Sequence, residues 1–323
     1  MKGKKDLALA LLGFSILAFA ASRIGVHNLL REMNVLRIGL PVIVALSLAR
    51  LALQTASWSI ALRRDGIHCS VGELMLVRLA SQGIGYLTIL GPAASEPMKI
   101  SLLRNHPRSA ATATLVDTGV YWFTSGLVGI AGCLAAAIVL VDSRNAATSM
   151  LILAAVLVAG LFLIVRPKSP FTALGGVHGV RGPRWLTKAV EIDTAIRKFA
   201  SEQPSAIRRM FLLDLVCQVL LAAEVVTVFW CLKLPLHPGT LLGLEAATRM
   251  IKIAAGWMPA RIGADESGVA GAFAAFGLPA ASGLVLALAR RTRDLLGCLI
   301  GLTWLAWRQR SSALTSEART VSA

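Results

Sequence analysis

Long apolar stretches separated by short polar segments dominate the pattern of hydrophobic and polar positions along this chain. A helix needs roughly 17–25 residues to cross a bilayer, and these stretches are of about that length. They are Leu7–Ser22, which is the shortest, Ile38–Leu62, Ala110–Val141, Ala146–Val165, Met210–Leu232 and Ala280–Trp307. The pattern therefore predicts an all-α polytopic membrane protein with about six spanning helices.

Two further stretches are apolar but carry several charged residues and a Pro/Gly break. The first, Val71–Asn105, is interrupted at Gly91-Pro92, and the second, Thr240–Gly277, at Pro259. Three predicted spans lie between them, and an odd number places the second stretch on the opposite side of the membrane. We therefore predict two broken, re-entrant helical hairpins arranged as an inverted repeat, the plan of many transporters. The alternative is two ordinary hairpins with their charges at the lipid headgroups.

Composition leaves no room for a separate soluble catalytic domain. Hydrophobic residues make up 56% of the chain and charged residues 15%, whereas about a quarter of the residues of a soluble domain are charged. We predict a single integral membrane domain over 1–310 and a short polar tail over 311–323. Within that domain, a first half (about 1–165) and a second half (about 210–310) flank a cytoplasmic loop (about 166–209).

Basic residues lie beside the apolar stretches. The formal net charge is +16, but the chain has no separate basic domain with interleaved aromatic residues, which argues against a nucleic-acid partner. By the positive-inside rule the charges predict cytoplasmic termini and a multi-pass protein of a prokaryotic cytoplasmic membrane. Lys2–Ser22 is also typical of a signal peptide, and in a chain with further spans it favours an uncleaved signal anchor.

The loop over 166–209 contains an amphipathic pattern. Its apolar residues recur at spacings of three and four, namely Trp185, Ala189, Ile192, Ile196 and Phe199. One interpretation is a helix on the cytoplasmic surface, with basic residues towards anionic headgroups. The other is a connecting helix packed against the bundle.

Charges inside apolar helices are the candidate functional residues, because each costs roughly 2.5–3.5 kcal/mol on insertion scales and usually faces a cavity or a partner. We predict as substrate-binding residues Glu96, Lys99, Glu266, Arg290 and Arg293, and as supporting residues Asp117, Arg249, Asp265 and Asp294. No catalytic triad, phosphate-binding Gly-rich loop or metal-ligand spacing accompanies them. We therefore predict no catalytic residue, metal or cofactor, and a transporter rather than an enzyme.

The charges after the two breaks have a functional and a structural interpretation. Glu96 and Lys99 either close a cavity or bind a headgroup, or they pair with each other at the start of a helix. Glu266 is a candidate to bind a proton or a cationic group, whereas Asp265 is a favoured residue for capping a helix N-terminus.

A cluster of charges lies near the middle of the last span. Helical spacing places Arg290 on one face with Arg293 and Asp294, while Arg291 lies off that face. The forked donors of arginine suit a lipid phosphate, and an internal Arg–Asp pair that joins two helices is the alternative. Asp117 occupies the comparable place in the first half, where one interpretation is that it neutralises one of these arginines and the other is that it is a structural hydrogen-bonding group.

Two short motifs resemble those of a known family. Gly91–Lys99 is similar to a Pro…Gly-Glu-x-x-Arg motif, and Pro259–Glu266 is similar to Pro-x-x-x-Gly-x-x-Glu. Together, and followed by Arg290, they resemble the flippase-like family named for the transmembrane region of lysylphosphatidylglycerol synthase. Ser95 stands where that family usually has Gly, and Lys99 where it has Arg, so the first half is less typical.

The resemblance covers most of the chain and implies movement or presentation of a lipid across the cytoplasmic membrane. It implies as partners a phospholipid, a polyprenyl-linked lipid or a hopanoid-type lipid, anionic headgroups at the cytoplasmic surface, and lipid-biosynthesis enzymes. Lysyl transfer is not implied, because the aminoacyl-transfer domain of the full synthases is not in this sequence. Two alternatives stay open: a membrane-embedded transferase acting on a lipid-linked substrate, and a non-catalytic partner of a lipid-synthesis complex.

Overall fold

The protein is all-helical over the residues that the structure, a computed structural model, describes. These are residues 34–321 except 35, 65, 89–91, 104–106, 142, 166–193, 195, 257 and 259–260. The helices are α1 (Leu40–Arg64), α2 (Val71–Leu87), α3 (Pro92–Leu102), α4 (Pro107–Val139), α5 (Arg144–Val165), α6 (Pro204–Cys231), α7 (Pro238–Ala254), α8 (Ala264–Ala275) and α9 (Ala280–Val321). The predicted span Leu7–Ser22 and most of the amphipathic pattern lie outside the described residues.

Four of the described helices are long and apolar enough to cross a bilayer. They are α1, α6, the Ser109–Val139 part of α4 and the Arg144–Phe162 part of α5. They correspond to four of the predicted spans and confirm a multi-pass membrane protein. The predicted span Ala280–Trp307 lies inside α9, which has 42 residues. The charges between residues 290 and 294 divide its apolar sequence, so α9 is not among the four.

Each of the two charged stretches forms a hairpin of two shorter helices, α2 with α3 and α7 with α8. Pro92 is the first residue of α3, where its fixed φ suits a helix start. Gly263 precedes α8 with φ +79°, a left-handed conformation that favours glycine. Its N–H donates to Glu266 Oε2 at 2.9 Å. The N-cap residue is therefore Gly263, and the interpretation of Asp265 as the cap is wrong.

The helices α1 and α6 run antiparallel at the centre of the bundle. Ile43, near the start of α1, shares one apolar core cluster with Phe229, near the end of α6. Trp58, near the end of α1, shares the other cluster with Met210, near the start of α6. Around this pair, α2 packs against α9 and α7 against α4, while α5 packs chiefly against α4.

The end of the predicted cytoplasmic loop packs against the bundle. Residues 196–202 are helical, and Phe199 is buried in the core cluster of Trp58 and Met210. Glu202 forms an ion pair with Arg64 at the end of α1. For this part of the loop, the contacts favour a helix packed on protein over one lying in the lipid surface.

Candidate functional site

Arg290 on α9 joins two carboxylates from different helices inside the bundle. Its Nε donates to Glu224 Oε2 on α6 at 3.2 Å, and its Nη2 donates to Glu245 Oε1 on α7 at 2.8 Å. All three side chains are buried. Removing one partner from such a cluster leaves an uncompensated buried charge, which is strongly destabilising. Arg290 therefore holds α6, α7 and α9 together, and its donors are occupied by protein carboxylates.

Glu224 also accepts hydrogen bonds from two other helices. Arg293 Nη1 donates to Glu224 Oε1 at 2.5 Å and to Ser47 Oγ at 3.1 Å. The Ser47 hydroxyl in turn donates to Glu224 Oε1 at 2.9 Å. Arg293 Nε donates to its neighbour Asp294 at 2.9 Å. Glu224 is thus the common acceptor that joins α1, α6 and α9.

Arg291 points away from this cluster, as its position off the face predicts. Its Nε lies 2.5 Å from Glu266 Oε1, and the Glu266 side chain is completely buried against α9. The neighbouring Asp265 accepts from Arg261 Nε at 3.1 Å. The Arg261 guanidinium lies 5.7 Å from the ring centre of Tyr86. The carboxylates after the second break are therefore both paired with arginines.

The first half contains a separate buried ion pair. Arg78 Nη2 on α2 donates to Asp117 Oδ2 on α4 at 2.5 Å, and the Arg78 guanidinium lies over the ring of Trp58. The interpretation that Asp117 neutralises an arginine of the last helix is wrong, because α4 places it beside α2. Lys99 Nζ donates to Glu96 Oε1 at 2.8 Å, so these two residues pair with each other on α3.

One ion pair joins each hairpin to the long helix that follows it. The two ion pairs occupy matching positions in their helices, but the cation and the carboxylate are exchanged. Arg78 is the eighth residue of α2, and Asp117 is the eleventh residue of α4. Glu245 is the eighth residue of α7, and Arg290 is the eleventh residue of α9. The cation therefore lies on the hairpin in the first half and on the long helix in the second half, at the same two helix positions.

A cavity of about 470 Å³ lies between α1, α2 and α9. Four cationic side chains and one carboxylate line it, namely Arg50, Lys252, Arg261, Arg293 and Asp294. Arg261 and Arg293 are paired with carboxylates. Arg50 and Lys252 form no hydrogen bond or ion pair through their side chains within the described residues, and Arg50 Nε is buried without a partner. The cavity therefore carries excess positive charge, which an anion would neutralise.

Part of the remaining wall of this cavity is apolar and faces outward. Leu48, Leu296 and Ile300 line it and are 55%, 48% and 51% exposed. Large aliphatic side chains with about half of their surface exposed form an apolar edge that fits lipid acyl chains. The same cavity thus combines a cationic interior with exposed aliphatic side chains at its edge.

The structure distributes the predicted site residues over several places. The cavity lining includes Arg293 and Asp294, whereas the ion pairs described above contain Glu96, Lys99, Asp117, Asp265, Glu266 and Arg290. Arg249 on α7 donates from Nη2 to Gln218 Oε1 at 2.7 Å and from Nη1 to the Ser125 carbonyl at 3.1 Å. Within the described residues, no three His, Cys, Asp or Glu side chains converge as a metal site.

Arg50, Lys252 and Glu224 are not among the site residues predicted from the sequence. A signal for Glu224 was available, because it lies inside the apolar stretch Met210–Leu232 together with Asp214. Arg50 lies in the same way inside Ile38–Leu62. A charge within a predicted span is a functional candidate by default. That rule identifies Arg50, Asp214 and Glu224.

Comparison with known proteins places most of the chain in one family. A family model described as the lysylphosphatidylglycerol synthase TM region matches residues 7–301. No curated protein and no solved structure matches the chain.

Proposed function

This chain belongs to the family of the lysylphosphatidylglycerol synthase transmembrane region, whose members are membrane proteins related to lipid metabolism or transport, and from that premise we propose a flippase-like function. The protein moves a lipid with an anionic headgroup between the leaflets of the membrane. The observation that carries this proposal is the cavity, where Arg50 and Lys252 form no ion pair within the described residues and part of the wall is apolar and faces outward.

The two kinds of cavity wall fit the two parts of a lipid. A phosphate group would accept hydrogen bonds from Arg50 and Lys252, which form no ion pair in the part of the chain that the structure describes. Charge-assisted hydrogen bonds of this kind are among the stronger polar contacts in proteins. Leu296 and Ile300 would contact the acyl chains, so the chains would stay in the bilayer while the headgroup crosses inside the protein.

The matching ion pairs support an inverted repeat. Hairpin α2–α3 and the long helix α4 would correspond to hairpin α7–α8 and the long helix α9. The pair Arg78–Asp117 would then be the counterpart of Glu245–Arg290. Antiparallel packing of α1 on α6 is what an axis in the membrane plane requires of the helices that precede the two hairpins.

Arg249 fills the place that would correspond to the cavity in the other half. Gln82 lines the cavity and is the twelfth residue of α2, and Arg249 is the twelfth residue of α7. Its guanidinium bonds to Gln218 on α6 and to the Ser125 carbonyl on α4, so it closes the gap between these helices. One open site and one closed counterpart are what alternating access requires.

The charge pattern supports an orientation as well. With both termini on the cytoplasmic side, Arg64 and Glu202 lie at the cytoplasmic ends of α1 and α6, and the turn between α4 and α5 lies on the opposite side. The loop before α6 would then present its basic residues to anionic headgroups. We place the protein in the cytoplasmic membrane of a prokaryote.

Lipid movement in liposomes tests this function directly. We would reconstitute the full chain with fluorescent phosphatidylglycerol, phosphatidylcholine or a polyprenyl phosphate and measure loss of fluorescence to an impermeant quencher. The variant R50Q/K252Q removes both unpaired cations, and the exposed Arg144 provides the control R144Q. Hydrogen bonds to charged groups contribute about 1.5–3 kcal/mol, so we expect R50Q/K252Q to slow anionic lipid by about tenfold or more.

Each outcome of this experiment decides one part of the proposal. If R50Q/K252Q moves anionic lipid as fast as the parent, the cavity assignment is wrong. If the parent moves no lipid faster than protein-free liposomes do, the flippase-like function is wrong. Transfer of a labelled group to a lipid-linked acceptor by the purified protein would support the transferase alternative instead.

A further inference from the structure

Asp214 is a buried carboxyl group outside the cavity. It is the eleventh residue of α6, inside one of the four helices able to cross a bilayer, and it is only 1% exposed. Its Oδ2 atom is buried and has no hydrogen-bond partner within the described residues. An ionised carboxylate without a partner is very costly in an apolar interior, and such a group becomes neutral instead.

The charged groups around Asp214 come from several helices. Asp117 on α4 and Arg78 on α2 interact with it electrostatically, and both already pair with each other. The thiol of Cys217, one turn along α6, interacts both with Asp214 and with Arg50 from α1.

The other helices packed against α6 place their charges further along it. Arg249 of α7 bonds to Gln218, one turn after Asp214, and Arg290 of α9 bonds to Glu224, about three turns after it. These arginines are therefore occupied by other partners, and Arg78 is the cation close to Asp214.

The charges around Arg78 leave Asp214 without a cation of its own among the described residues. Two cations and three carboxyl groups meet around α2, α3, α4 and α6. Arg78 pairs with Asp117, and Lys99 pairs with Glu96. Asp214 is the third carboxyl group, and one bound proton would make the cluster neutral.

We propose that Asp214 is a proton-binding site and that its protonation is linked to lipid movement; the second clause rests on the proposed function. The proton comes from water and forms an O–H bond on the carboxyl group, and its release returns it to water. Arg78 Nε is buried and has no acceptor among the residues that the structure describes. Once deprotonated, Asp214 would compete with Asp117 for Arg78, which would draw α6 towards α2 and away from its present position.

Infrared difference spectroscopy tests the proton site independently of lipid movement. The full chain in nanodiscs is taken from low to high pH, and the C=O band of protonated carboxyl groups is recorded. We expect a band that is lost as pH rises and is absent from D214N. The control is E73Q, because the Glu73 side chain at the start of α2 is 44% exposed. A spectrum of D214N identical to that of the parent would overturn the proposal.

Liposomes with an imposed proton gradient test the linkage. Coupling between two sites is typically about 5–150-fold, so reversing the gradient should change the parent's rate of lipid movement by about fivefold or more. D214N should move lipid at a rate that the gradient does not change. A gradient-independent parent that still moves lipid would refute the linkage and leave the flippase-like function standing. A titrating band in a parent that moves no lipid would support the proton site and refute that function.

Discussion

The Sγ atom of Cys217 lies 3.7 Å from the carbonyl oxygen of Arg50, where α6 crosses α1. These two residues are 167 positions apart in the chain, and the same separation relates Arg78 to Glu245. In a pair of halves related by a two-fold axis, a residue on the axis meets its own counterpart. The axis of the proposed inverted repeat would therefore pass between Arg50 and Cys217.

A cysteine at position 39 should form a disulfide bond with Cys231. Gly39 precedes α1, and a Cβ atom there would lie 2.7 Å from Cys231 Sγ, at the end of α6. Under mild oxidation we expect G39C to give the cross-linked peptide in mass spectrometry. G39C/C231S should give none, and neither should G66C, at the opposite end of α1. Failure of G39C to cross-link would contradict antiparallel packing of α1 on α6.

Removing Arg290 should destabilise the protein rather than merely weaken substrate binding. In R290A the buried carboxylates of Glu224 and Glu245 lose their shared donor. Breaking a buried ion pair costs about 3–5 kcal/mol, so thermal unfolding in nanodiscs should occur at a clearly lower temperature. The triple variant R290M/E224Q/E245Q should recover part of this loss. An R290A protein as stable as the control R144A would contradict the structural role of Arg290.

Replacing Arg249 should open the closed counterpart of the cavity. R249A loses the hydrogen bonds to Gln218 and to the Ser125 carbonyl. We expect faster lipid movement in both directions that no longer responds to an imposed gradient, measured with the fluorescent lipids in liposomes. The matched control is R144A, which removes an exposed arginine. Slower movement in R249A at unchanged thermal stability would show that Arg249 does not close this path.

Single cysteines just before α5 and just before α6 should report opposite sides of the membrane. Ser143 and Ser201 are both exposed, and the proposed orientation places Ser143 outside and Ser201 in the cytoplasm. In a background where the native cysteines are serine, an impermeant maleimide added to intact cells should label S143C and spare S201C until the cells are opened. Labelling of S201C but not of S143C in intact cells would contradict the proposed orientation.

Helix positions and the two hairpins could be predicted from the sequence because they depend on local composition. Apolar length alone located α1, α4, α5 and α6, and the Pro/Gly breaks located the α2–α3 and α7–α8 hairpins. Angular spacing on one helix also placed Arg291 correctly away from Arg290. These features need no knowledge of which helices become neighbours.

The pairing of charges could not be predicted in the same way, since it depends on helix packing. Asp117 was matched to the arginines of the last helix because a charge of opposite sign occupies the comparable place there. In the structure α4 places it next to Arg78 instead. Glu224 became the acceptor for Arg290 and Arg293 because α6 faces α9, which no local pattern reveals.

The outward-facing wall formed by Leu48, Leu296 and Ile300 has a consequence for how affinity is expressed. A ligand that enters from the side is supplied by the leaflet, so occupancy depends on its mole fraction among the surrounding lipids and not on its molarity in water. Adding detergent at constant protein and lipid would dilute that two-dimensional pool and empty the cavity. A dissociation constant for this protein would therefore be a surface quantity, comparable between preparations only at equal lipid-to-detergent ratio.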